Sequence, residues 1–362
     1  MNAVASLSGP TALAALSADA AARRQALRTV VADPQIWAAL EQRAGLLAEQ
    51  ALLVPAAVLD QLRRAVAALD QFLRRQAPAA ARPGVLGYDF HLGPNGPRLI
   101  EVNTNPGGLL LVLAQQRAWS RLHPDVEPAG LDAPRAEDLA LRAFAGSARH
   151  LAVVDDMPEQ QFLYPEFLMY RRGFARLGID AQIVDGRHWP GGFDGAYNRL
   201  TDFALDRPEH AALAIACRSG QVTLIPDPAS HQAFADKRRL ADLSADPLCG
   251  AWVAPVFQGA WKSTWTVRHG LFFKPFFGYG GRGGYRGDKI SRVTWERLDP
   301  ATTLAQALVP PSVLDNGFKV DIRAYVDQGN VLAFGARLYQ GQITNFRTPG
   351  GGLAAVFRTH DP

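Results

Sequence analysis

The chain has 362 residues, of which 48% are hydrophobic and 20% are charged. These proportions are typical of a globular protein with two or three domains and a substantial core. The formal net charge is only +4, and few aromatic residues interleave with the basic clusters, so nucleic-acid binding is not favoured. Cys217 and Cys249 are too few for a disulfide framework and lack metal-ligand spacing.

The sequence gives no indication of a membrane partner. It contains no run of about 18 apolar residues, which is the length that a transmembrane helix needs. The first residues lack the basic start of a secretory signal peptide. We therefore expect a cytoplasmic protein.

The first part of the chain is expected to be helical. Ala, Leu and Arg dominate from Ser17 to Gln76, and Pro34 and Pro55 suit the first turns of helices. Five apolar residues recur at helical spacing and predict one buried stripe: Leu59, Leu62, Val66, Leu69 and Leu73. The proline-containing stretch 77–84 then predicts a linker.

A β-hairpin is predicted where two short strands flank the turn 93–97, whose glycines and prolines supply turn dihedrals. If Leu92 pairs with Arg98, Asp89 lies directly opposite Glu101. Side chains alternate across a strand, so four apolar residues share one face of the hairpin: Tyr88, Phe90, Ile100 and Val102.

The other face of this hairpin carries Asp89, Glu101 and Asn103. Like charges directly opposed on two strands destabilise the pairing, and a divalent cation would remove that conflict. Three oxygen donors without a nearby His or Cys suit Mg²⁺, which proteins hold through one or two carboxylates together with substrate phosphates. A surface hairpin with two solvated acids is the alternative, and the residues alone leave both interpretations open.

A lysine precedes a glycine-rich loop later in the chain. The apolar run 271–275 predicts a buried strand that presents Lys274, and the backbone N–H groups of a glycine loop can close on phosphate oxygens. Gly278 to Gly283 also matches G-x-G-x-x-G, but a dinucleotide fingerprint needs a helix directly afterwards. A flexible flap between two strands fits better, and a plain hairpin tip is the alternative.

Two further strands, 318–326 and 331–337, combine basic residues with an acid. Alternation places Lys319, Asp321 and Arg323 on one face of the first strand. Converging Arg and Lys side chains beside a glycine loop suit a polyphosphate or an acyl phosphate. An exposed hairpin face with solvated charges is the alternative.

The stretch from about 150 to 244 predicts a separate α/β unit. A short apolar strand at 151–155, a helix at 165–177 and a second strand at 179–184 have the spacing of a βαβ unit. That spacing implies parallel pairing of the two strands.

Three of these motifs together resemble the ATP-grasp superfamily: Lys274-Pro275 before the glycine-rich loop, Asp321-Ile322-Arg323, and the Asp89 … Glu101-x-Asn103 constellation. In most members the Glu-x-Asn strand comes last, whereas here it comes first. That order resembles the circular permutation of eukaryotic-type glutathione synthetases. The following Asn105-Pro106-Gly107 is more similar to D-alanine–D-alanine ligases and ribosomal-modification ligases, so glutathione synthesis itself is not implied.

The resemblance, which covers roughly 85–110 and 150–360, implies an α/β (α+β) fold of the ATP-grasp type in permuted order. Four parts are expected: an N-terminal helical segment at 1–84, a metal-binding part at 85–146, a small α/β substrate domain at 147–240, and a nucleotide-binding domain at 241–362.

The resemblance also implies roles for individual residues, with ATP and Mg²⁺ as cofactors. The expected Mg²⁺ ligands are Asp89, Glu101 and Asn103, and the expected catalytic residues are Arg323 and Arg347. The residues expected to hold the nucleotide are Lys237, Lys274, Gly280, Gly281, Arg282 and Gly283. Arg199 would bind a substrate carboxylate or phosphate, or else form a salt bridge with Asp202 or another neighbour.

The implied activity is that of an ATP-dependent carboxylate–amine ligase that works through an acyl phosphate and releases ADP and phosphate. The expected partners are a small carboxylate and an amine, with an amino acid or small peptide as the family's default, and homodimers are common among such ligases. Two alternatives stay open: a nicotinamide-dependent oxidoreductase that uses Gly278–Gly283, and a nucleotide-binding regulator without turnover.

Overall fold

The computed structural model describes residues 13–93, 95–278, 283–342, 344 and 348–359. Within these ranges the chain is a mixed α/β protein. Its helices are α1 Ala20–Val30, α2 Pro34–Glu41, α3 Ala56–Gln76, α4 Leu109–Leu122, α5 Ala133–Ala145, α6 Tyr164–Arg176, α7 Ala211–Arg218, α8 Pro228–Ser230, α9 Arg239–Ala245, α10 Thr264–Val267 and α11 Arg292–Glu296. Its strands are β1 Ala14–Leu16, β2 Ala51–Pro55, β3 Leu86–Gly93, β4 Gly96–Asn103, β5 Glu127–Pro128, β6 His150–Asp155, β7 Asp180–Asp185, β8 Gly195–Asn198, β9 Thr223–Ile225, β10 Leu271–Pro275, β11 Tyr285–Arg286, β12 Thr303–Ala307, β13 Ser312–Val313, β14 Lys319–Asp327, β15 Asn330–Tyr339 and β16 Gly352–Thr359.

A nine-stranded sheet forms the centre of the protein. Its strand order is β1-β2-β16-β15-β14-β3-β4, with β5 paired to β16 and β13 paired to β14. The pairing of β2 with β16 is parallel, and the other pairings in this sheet are antiparallel. The predicted hairpin of β3 and β4 therefore lies at one edge, and β14 is its neighbour within the sheet.

Helices cover both faces of the central sheet. The predicted apolar stripe on α3 is confirmed as core, because its five residues are at most 1% exposed and pack with one face of the sheet. Apolar residues at the start of α4 pack with the other face, where Tyr325 and Leu353 lie. None of the helices in the described ranges combines the length and apolar character that crossing a bilayer would require.

The N-terminal segment is not purely helical, which corrects the prediction. Ala51–Pro55 forms β2, all of whose residues are buried, and it pairs with β16 from the far end of the chain. A run of five apolar residues is too short to distinguish a buried strand from a helix by periodicity. Pro34 is in the first turn of α2, as predicted, whereas Pro55 precedes the first turn of α3.

A four-stranded parallel sheet forms the predicted α/β unit. Its order is β7-β6-β8-β9, and the parallel pairing of β6 with β7 confirms the βαβ prediction. Gly178 ends the α6 region with a φ of +75°, a conformation that favours glycine. Because all four strands are parallel, their carboxyl ends meet at one edge of the sheet.

A three-stranded antiparallel sheet, β11-β10-β12, carries the predicted lysine strand. Phe272 pairs with Arg286 and Phe273 pairs with Tyr285, so the glycine-rich loop does connect two strands of a hairpin. The segment 253–256 joins this sheet to the edge of the central sheet, since Val253 forms a bridge with Leu99 of β4 and Val256 forms one with Gln306 of β12.

Candidate functional site

The hairpin of β3 and β4 places Asp89 directly opposite Glu101, as the sequence predicts. The register beside the turn differs from the prediction, because Leu92 pairs with Pro97 and not with Arg98. The two acids still face each other because the register shifts by one residue between the turn and Asp89.

A β-bulge at Ile100 takes up this shift, since Phe90 pairs with Leu99 while Asp89 pairs with Glu101. The bulge also changes the apolar face of the hairpin. Leu99 is fully buried against the core, whereas Ile100, which was predicted to be there, is only partly buried.

The neighbouring strand β14 places Arg323 opposite Asp89. Nε and Nη2 of Arg323 donate to the two carboxylate oxygens of Asp89 at 2.6 and 2.7 Å. Arg337 on β15 donates to Oδ2 at 2.8 Å, and the amide of Asn103 donates to the same oxygen at 3.2 Å. Burial alone would raise the pKa of Asp89, but the two guanidinium groups outweigh burial and hold this pKa below its ordinary value.

A second buried carboxylate, Asp321, lies on the same strand as Arg323. Its Oδ1 accepts from Nε2 of His91 at 2.8 Å and from the hydroxyl of Tyr339 at 2.9 Å. Nδ1 of His91 faces the carbonyl oxygen of Val309 at 2.6 Å. Because both ring nitrogens face acceptors, the geometry favours the doubly protonated imidazolium. Burial opposes this charge, but Asp321 outweighs burial and raises the pKa of His91.

Arg337 joins the two acids. Its Nη2 lies 2.8 Å from the Asp89 carboxylate and 3.2 Å from that of Asp321. No described residue accepts a hydrogen bond from its buried Nε. We call these residues the central charge cluster: Asp89, His91, Asp321, Arg323 and Arg337.

Lys274 reaches the hairpin from the three-stranded sheet. Its Nζ donates to the carbonyl oxygen of the bulged Ile100 at 2.7 Å and to Oε1 of Gln306 at 2.6 Å. The side chain is 5% exposed. Burial lowers the pKa of Lys274 to about 7, although the nearby charge of Glu101 opposes this change. The lysine is therefore held beside the predicted metal face by neutral oxygens.

The other predicted nucleotide-binding residues lie only partly within the described ranges. Lys237 is in the turn before α9, and its Nζ donates to the carbonyl oxygen of Gly278, at the start of the glycine-rich loop, at 2.9 Å. Gly283 leads out of the loop with a φ of +72°. Four predicted site residues lie outside the described residues: Gly280, Gly281, Arg282 and Arg347.

Arg199 follows β8 and is 7% exposed. Its Nη1 donates to the carbonyl oxygen of Asn105 at 2.7 Å and to the hydroxyl of Tyr197 at 3.2 Å. The predicted alternative, a salt bridge with Asp202, does not form, because the Asp202 carboxylate accepts from His210 at 2.7 Å. Nε of Arg199 is buried, and no described residue accepts from it. The guanidinium therefore has unused hydrogen-bonding capacity beside the loop that follows β4.

Asp155 and Arg199 lie at the point where the parallel sheet reverses its strand order. Asp155 ends β6, and the neighbours of β6 on its two sides are β7 and β8. Open parallel sheets bind ligands at the carboxyl ends of their strands at such a point. Burial raises the pKa of Asp155 to about 7, although the charge of Arg199 opposes this change. We call this site, formed by Asp155 and Arg199, the parallel-sheet edge.

The loop between β4 and α4 connects the two sites. Glu166 of the small sheet's helix α6 is fully buried and accepts from the backbone N–H groups of Gly108 and Leu110 at 2.8 and 3.1 Å. The carbonyl oxygen of Gly107 accepts from the hydroxyl of Tyr325 on the central sheet at 2.9 Å. Both sheets thus fix the backbone that follows the Glu-x-Asn strand.

The residues present fit a magnesium ion in part. No hydrogen bond or ion pair with another described residue engages the carboxylate of Glu101, and the amide oxygen of Asn103 is a suitable second donor. Both oxygens of Asp89, the third predicted ligand, are engaged by Arg323 and Arg337. Among the described residues, no group of three or more His, Cys, Asp or Glu side chains is arranged to hold a metal.

Sequence reasoning missed several residues of this site. Arg337 and His91 were not assigned any chemistry, although His91 lies on the strand that carries Asp89, and Arg337 lies on the strand that pairs with β14, which carries Arg323. Alternation along β15 could have indicated Arg337, since it pairs with Asp321. Gln306 and Glu166 gave no such signal, because their contacts depend on how the sheets are placed against each other.

Comparisons with known proteins give little further information. No family model matches the chain, and no curated protein matches it. Among solved structures, the chain is similar to a protein of Methylobacillus flagellatus KT that is provisionally named a gamma-glutamylcysteine synthetase. The two are 11% identical with a TM-score of 0.48, and the similarity covers 83% of this chain and 87% of the other.

Proposed function

We propose that this chain is an ATP- and Mg²⁺-dependent carboxylate–amine ligase with the permuted ATP-grasp organisation that the sequence motifs resemble. The observation that carries the proposal is the surroundings of Glu101. This partly buried carboxylate interacts electrostatically with three buried cations, Lys274, Arg323 and Arg337. A carboxylate for a metal ion and several cations for phosphate oxygens are what phosphoryl transfer requires.

The proposed reaction has two steps. First, a carboxylate oxygen of the acid attacks the γ-phosphorus of ATP, the bond from that phosphorus to the ADP oxygen breaks, and an acyl phosphate forms. The amine nitrogen then attacks the acyl carbon, phosphate leaves with the electrons of the C–O bond, and the nitrogen loses a proton to solvent. These steps need positioning and charge stabilisation more than a protein nucleophile.

In this proposal the cations act on the phosphates. Lys274, together with Lys237 and the glycine-rich loop, binds the nucleotide phosphates. Arg323 and Arg337 stabilise the phosphoryl group during transfer, and Asp89 holds both guanidinium groups in position. Arg347 stays in its predicted catalytic role.

Glu101 and Asn103 would hold the magnesium ion. When bound, Mg²⁺ neutralises the charge on the phosphates and orients them. Asp89 acts on the ion only indirectly, because its oxygens are already engaged. Of the three predicted ligands, Glu101 and Asn103 would therefore bind the ion, and Asp89 would position the two arginines.

Arg199 would bind the acid substrate, since its guanidinium is buried beside the loop that follows the metal face and has a free donor. A carboxylate is the matching acceptor for a guanidinium. The proposed substrates are a small carboxylate and an amine, of which an amino acid or a small peptide is one. A location in the cytoplasm and a homodimer are part of the same proposal.

The proposal can be tested without knowing the acid or the amine. Thermal unfolding is measured for the wild type and Glu101→Gln with Mg²⁺ plus ATP, ADP or NAD. A ligand present at 100 times its dissociation constant stabilises the native state by about 2.7 kcal/mol. We expect ATP to raise the unfolding temperature of the wild type only when Mg²⁺ is present, and to raise that of Glu101→Gln much less.

Glu209→Gln is the matched control, because Glu209 is exposed near the small sheet and this variant should respond as the wild type does. A rise with NAD alone would instead favour the oxidoreductase interpretation, although β10 and β11 are antiparallel and do not form the parallel βαβ unit that a dinucleotide needs. If no nucleotide raises the unfolding temperature, both the ligase proposal and the oxidoreductase interpretation are refuted. If ATP binds, sustained ADP release with an acid–amine pair would distinguish an enzyme from a regulator, and Glu101→Gln should lower that turnover by orders of magnitude.

A further inference from the structure

A cavity of about 300 Å³ lies among α1, α2, the second half of α4 and the loop 43–49. This volume is at the lower end of the range of small-molecule sites. Its apolar wall is formed by six large side chains: Leu27, Trp37, Leu40, Leu47, Trp119 and Leu122. Neither the sequence motifs nor the proposed ligase reaction uses any of them.

Charged side chains complete the lining of this cavity. Arg24 is paired with Glu41, and Arg43 donates to the backbone carbonyl oxygens of neighbouring segments. Arg23 is different, because no described residue accepts from its buried Nε. Its nearest carboxylate oxygen, on Glu49, is 3.7 Å from Nη2, and the Glu49 side chain is 67% exposed. Arg23 therefore lines the cavity with only a long contact to an exposed carboxylate as its ionic partner.

Basic side chains predominate around this cavity. Its lining carries three arginines and two glutamates. The guanidinium of Arg28 lies over the ring of Trp37, and its buried Nη1 has no acceptor among the described residues. Buried donors in native proteins almost always have a partner. An anion beside Arg23 would balance the excess of positive charge.

The cavity is separate from the candidate active site. α4 begins beside Gly107 and Gly108, where the loop after β4 contacts both sheets, whereas its cavity-lining residues run from Gln115 to Leu122. At 1.5 Å per residue, these lie roughly 10–20 Å further along the helix. A ligand here would not occupy the place of the nucleotide or the acid.

We propose that this cavity is a second small-molecule site, and that it takes an organic anion with an aromatic body. The two tryptophans and the leucines provide an apolar enclosure for the body. The guanidinium of Arg23 provides the partner for a carboxylate, sulfonate or phosphate group.

The cavity wall is hydrogen-bonded to the central sheet. The N–H of Ala48 donates to the carbonyl oxygen of Leu353 at 2.7 Å, and the N–H of Glu49 donates to that of Gly350 at 3.0 Å. Gln115 also donates to Leu353, at 2.9 Å. A bound anion would therefore contact the segment that fixes the start of β16, next to β15 and its Arg337.

The test uses two dyes of nearly equal shape, the anion 8-anilinonaphthalene-1-sulfonate and the uncharged N-phenyl-1-naphthylamine. Each is titrated into the full chain, and fluorescence gives the dissociation constant. We expect one saturable site that binds the anion at least fivefold more tightly than the uncharged dye. Arg23→Gln should abolish that preference, whereas Arg64→Gln, at an exposed position on α3, should retain it.

A filling variant tests the location. Ala118 lines the cavity and is 4% exposed, so Ala118→Trp should eliminate binding of both dyes. Ala67→Trp, on the exposed face of α3, is the matched control and should bind as the wild type does. Wild-type affinity in a folded Ala118→Trp variant, or an unchanged anion preference in Arg23→Gln, would overturn the proposal. If Ala118→Trp does not fold, the comparison of Arg23→Gln with Arg64→Gln decides alone whether the proposal stands.

Discussion

Asp89 in the central charge cluster accepts hydrogen bonds from two guanidinium groups, whereas Asp155 at the parallel-sheet edge accepts one from the backbone N–H of Asp156. Their pKa values differ accordingly. Burial would raise both, but Arg323 and Arg337 lower that of Asp89, and the more distant Arg199 leaves that of Asp155 at about 7. The charge of Asp89 is balanced by ion pairs, whereas that of Asp155 is removed by a proton below about pH 7.

The arginines show the same difference. Arg323 donates through Nε and Nη2 to one carboxylate, while Arg199 donates to a carbonyl oxygen and a phenol and keeps a buried Nε without a described acceptor. The central charge cluster is thus organised in advance by its own ion pairs. The parallel-sheet edge is incomplete, because the buried Nε of Arg199 has no acceptor among the described residues, as the proposed role in substrate binding requires.

The largest expected effect comes from removing the shared acceptor. Asp89→Asn leaves the buried guanidinium of Arg323 without its ion pair and that of Arg337 with only Asp321 as a counter-charge, so we expect a loss of about 3–5 kcal/mol in the free energy of unfolding. Urea denaturation followed by circular dichroism measures it. Asp138→Asn is the control, because its ion pair with Arg142 is exposed and should contribute too little to move the urea midpoint.

Removing the arginine at the parallel-sheet edge should lower the free energy of unfolding by less. Arg199→Met removes a cation that donates only to neutral groups, so we expect about 1–2 kcal/mol, the scale of one or two buried hydrogen bonds. The same urea series gives the comparison. If Arg199→Met destabilises the chain as much as Asp89→Asn does, the two regions are not organised differently.

Local pattern was enough to predict three members of the central charge cluster, Asp89, Asp321 and Arg323, but not their assembly with His91 and Arg337. Turn residues and alternation predicted the hairpin and the opposition of Asp89 and Glu101, which the strand pairing confirms. The ion pair of Asp89 with Arg323 joins residues 234 positions apart. No local period carries that information, so Asp89 was interpreted as a metal ligand and not as the acceptor for two arginines.

The bulge at Ile100 shows a second limit of predicting structure from the sequence. A register counted outward from the turn assumes a regular ladder, and one extra residue moves Leu99 into the core in place of Ile100. It also leaves the carbonyl oxygen of Ile100 to accept from Lys274. The parallel α/β unit was easier to predict, because βαβ spacing determines the pairing of its strands.

Lys274 is a buried base whose hydrogen-bond partners are neutral. Its pKa of about 7 lies below the ordinary 10.5, chiefly because of burial, so about half of it is protonated at pH 7. Phosphates bound beside it would favour the charged form. We expect ATP binding to take up about half a proton at pH 7, more at pH 8 and less at pH 6.

Calorimetry with Mg²⁺ and ATP in buffers of different ionisation enthalpy measures this uptake. Lys274→Arg is the matched variant, because a guanidinium stays protonated throughout this range and should remove the lysine's share of the uptake while keeping the charge. Equal uptake in the two proteins would show that Lys274 does not bind the phosphates.

The smallest expected effect is the pH dependence of stability that Asp155 causes. Its pKa is raised from 3.8 to about 7 by burial, so between those values the folded chain holds a proton that the unfolded chain has lost. The stability of the wild type therefore falls as pH rises through this window. Asp155→Asn removes that loss and should be the more stable protein at pH 8, with a smaller difference at pH 5.

Asp185 lies at the same edge of the small sheet, and it should make stability depend on pH in the opposite direction. The hydrogen bonds and charge of Arg187 lower its pKa to about 2, so its contribution is lost as pH falls and is fully present at both pH 5 and pH 8. Asp185→Asn should therefore destabilise the chain equally at these two values, as measured by urea denaturation. Parallel behaviour of the two variants would mean that Asp155 is charged in the folded chain. Its carboxylate would then have an ionic partner, and the parallel-sheet edge would be as complete as the central charge cluster.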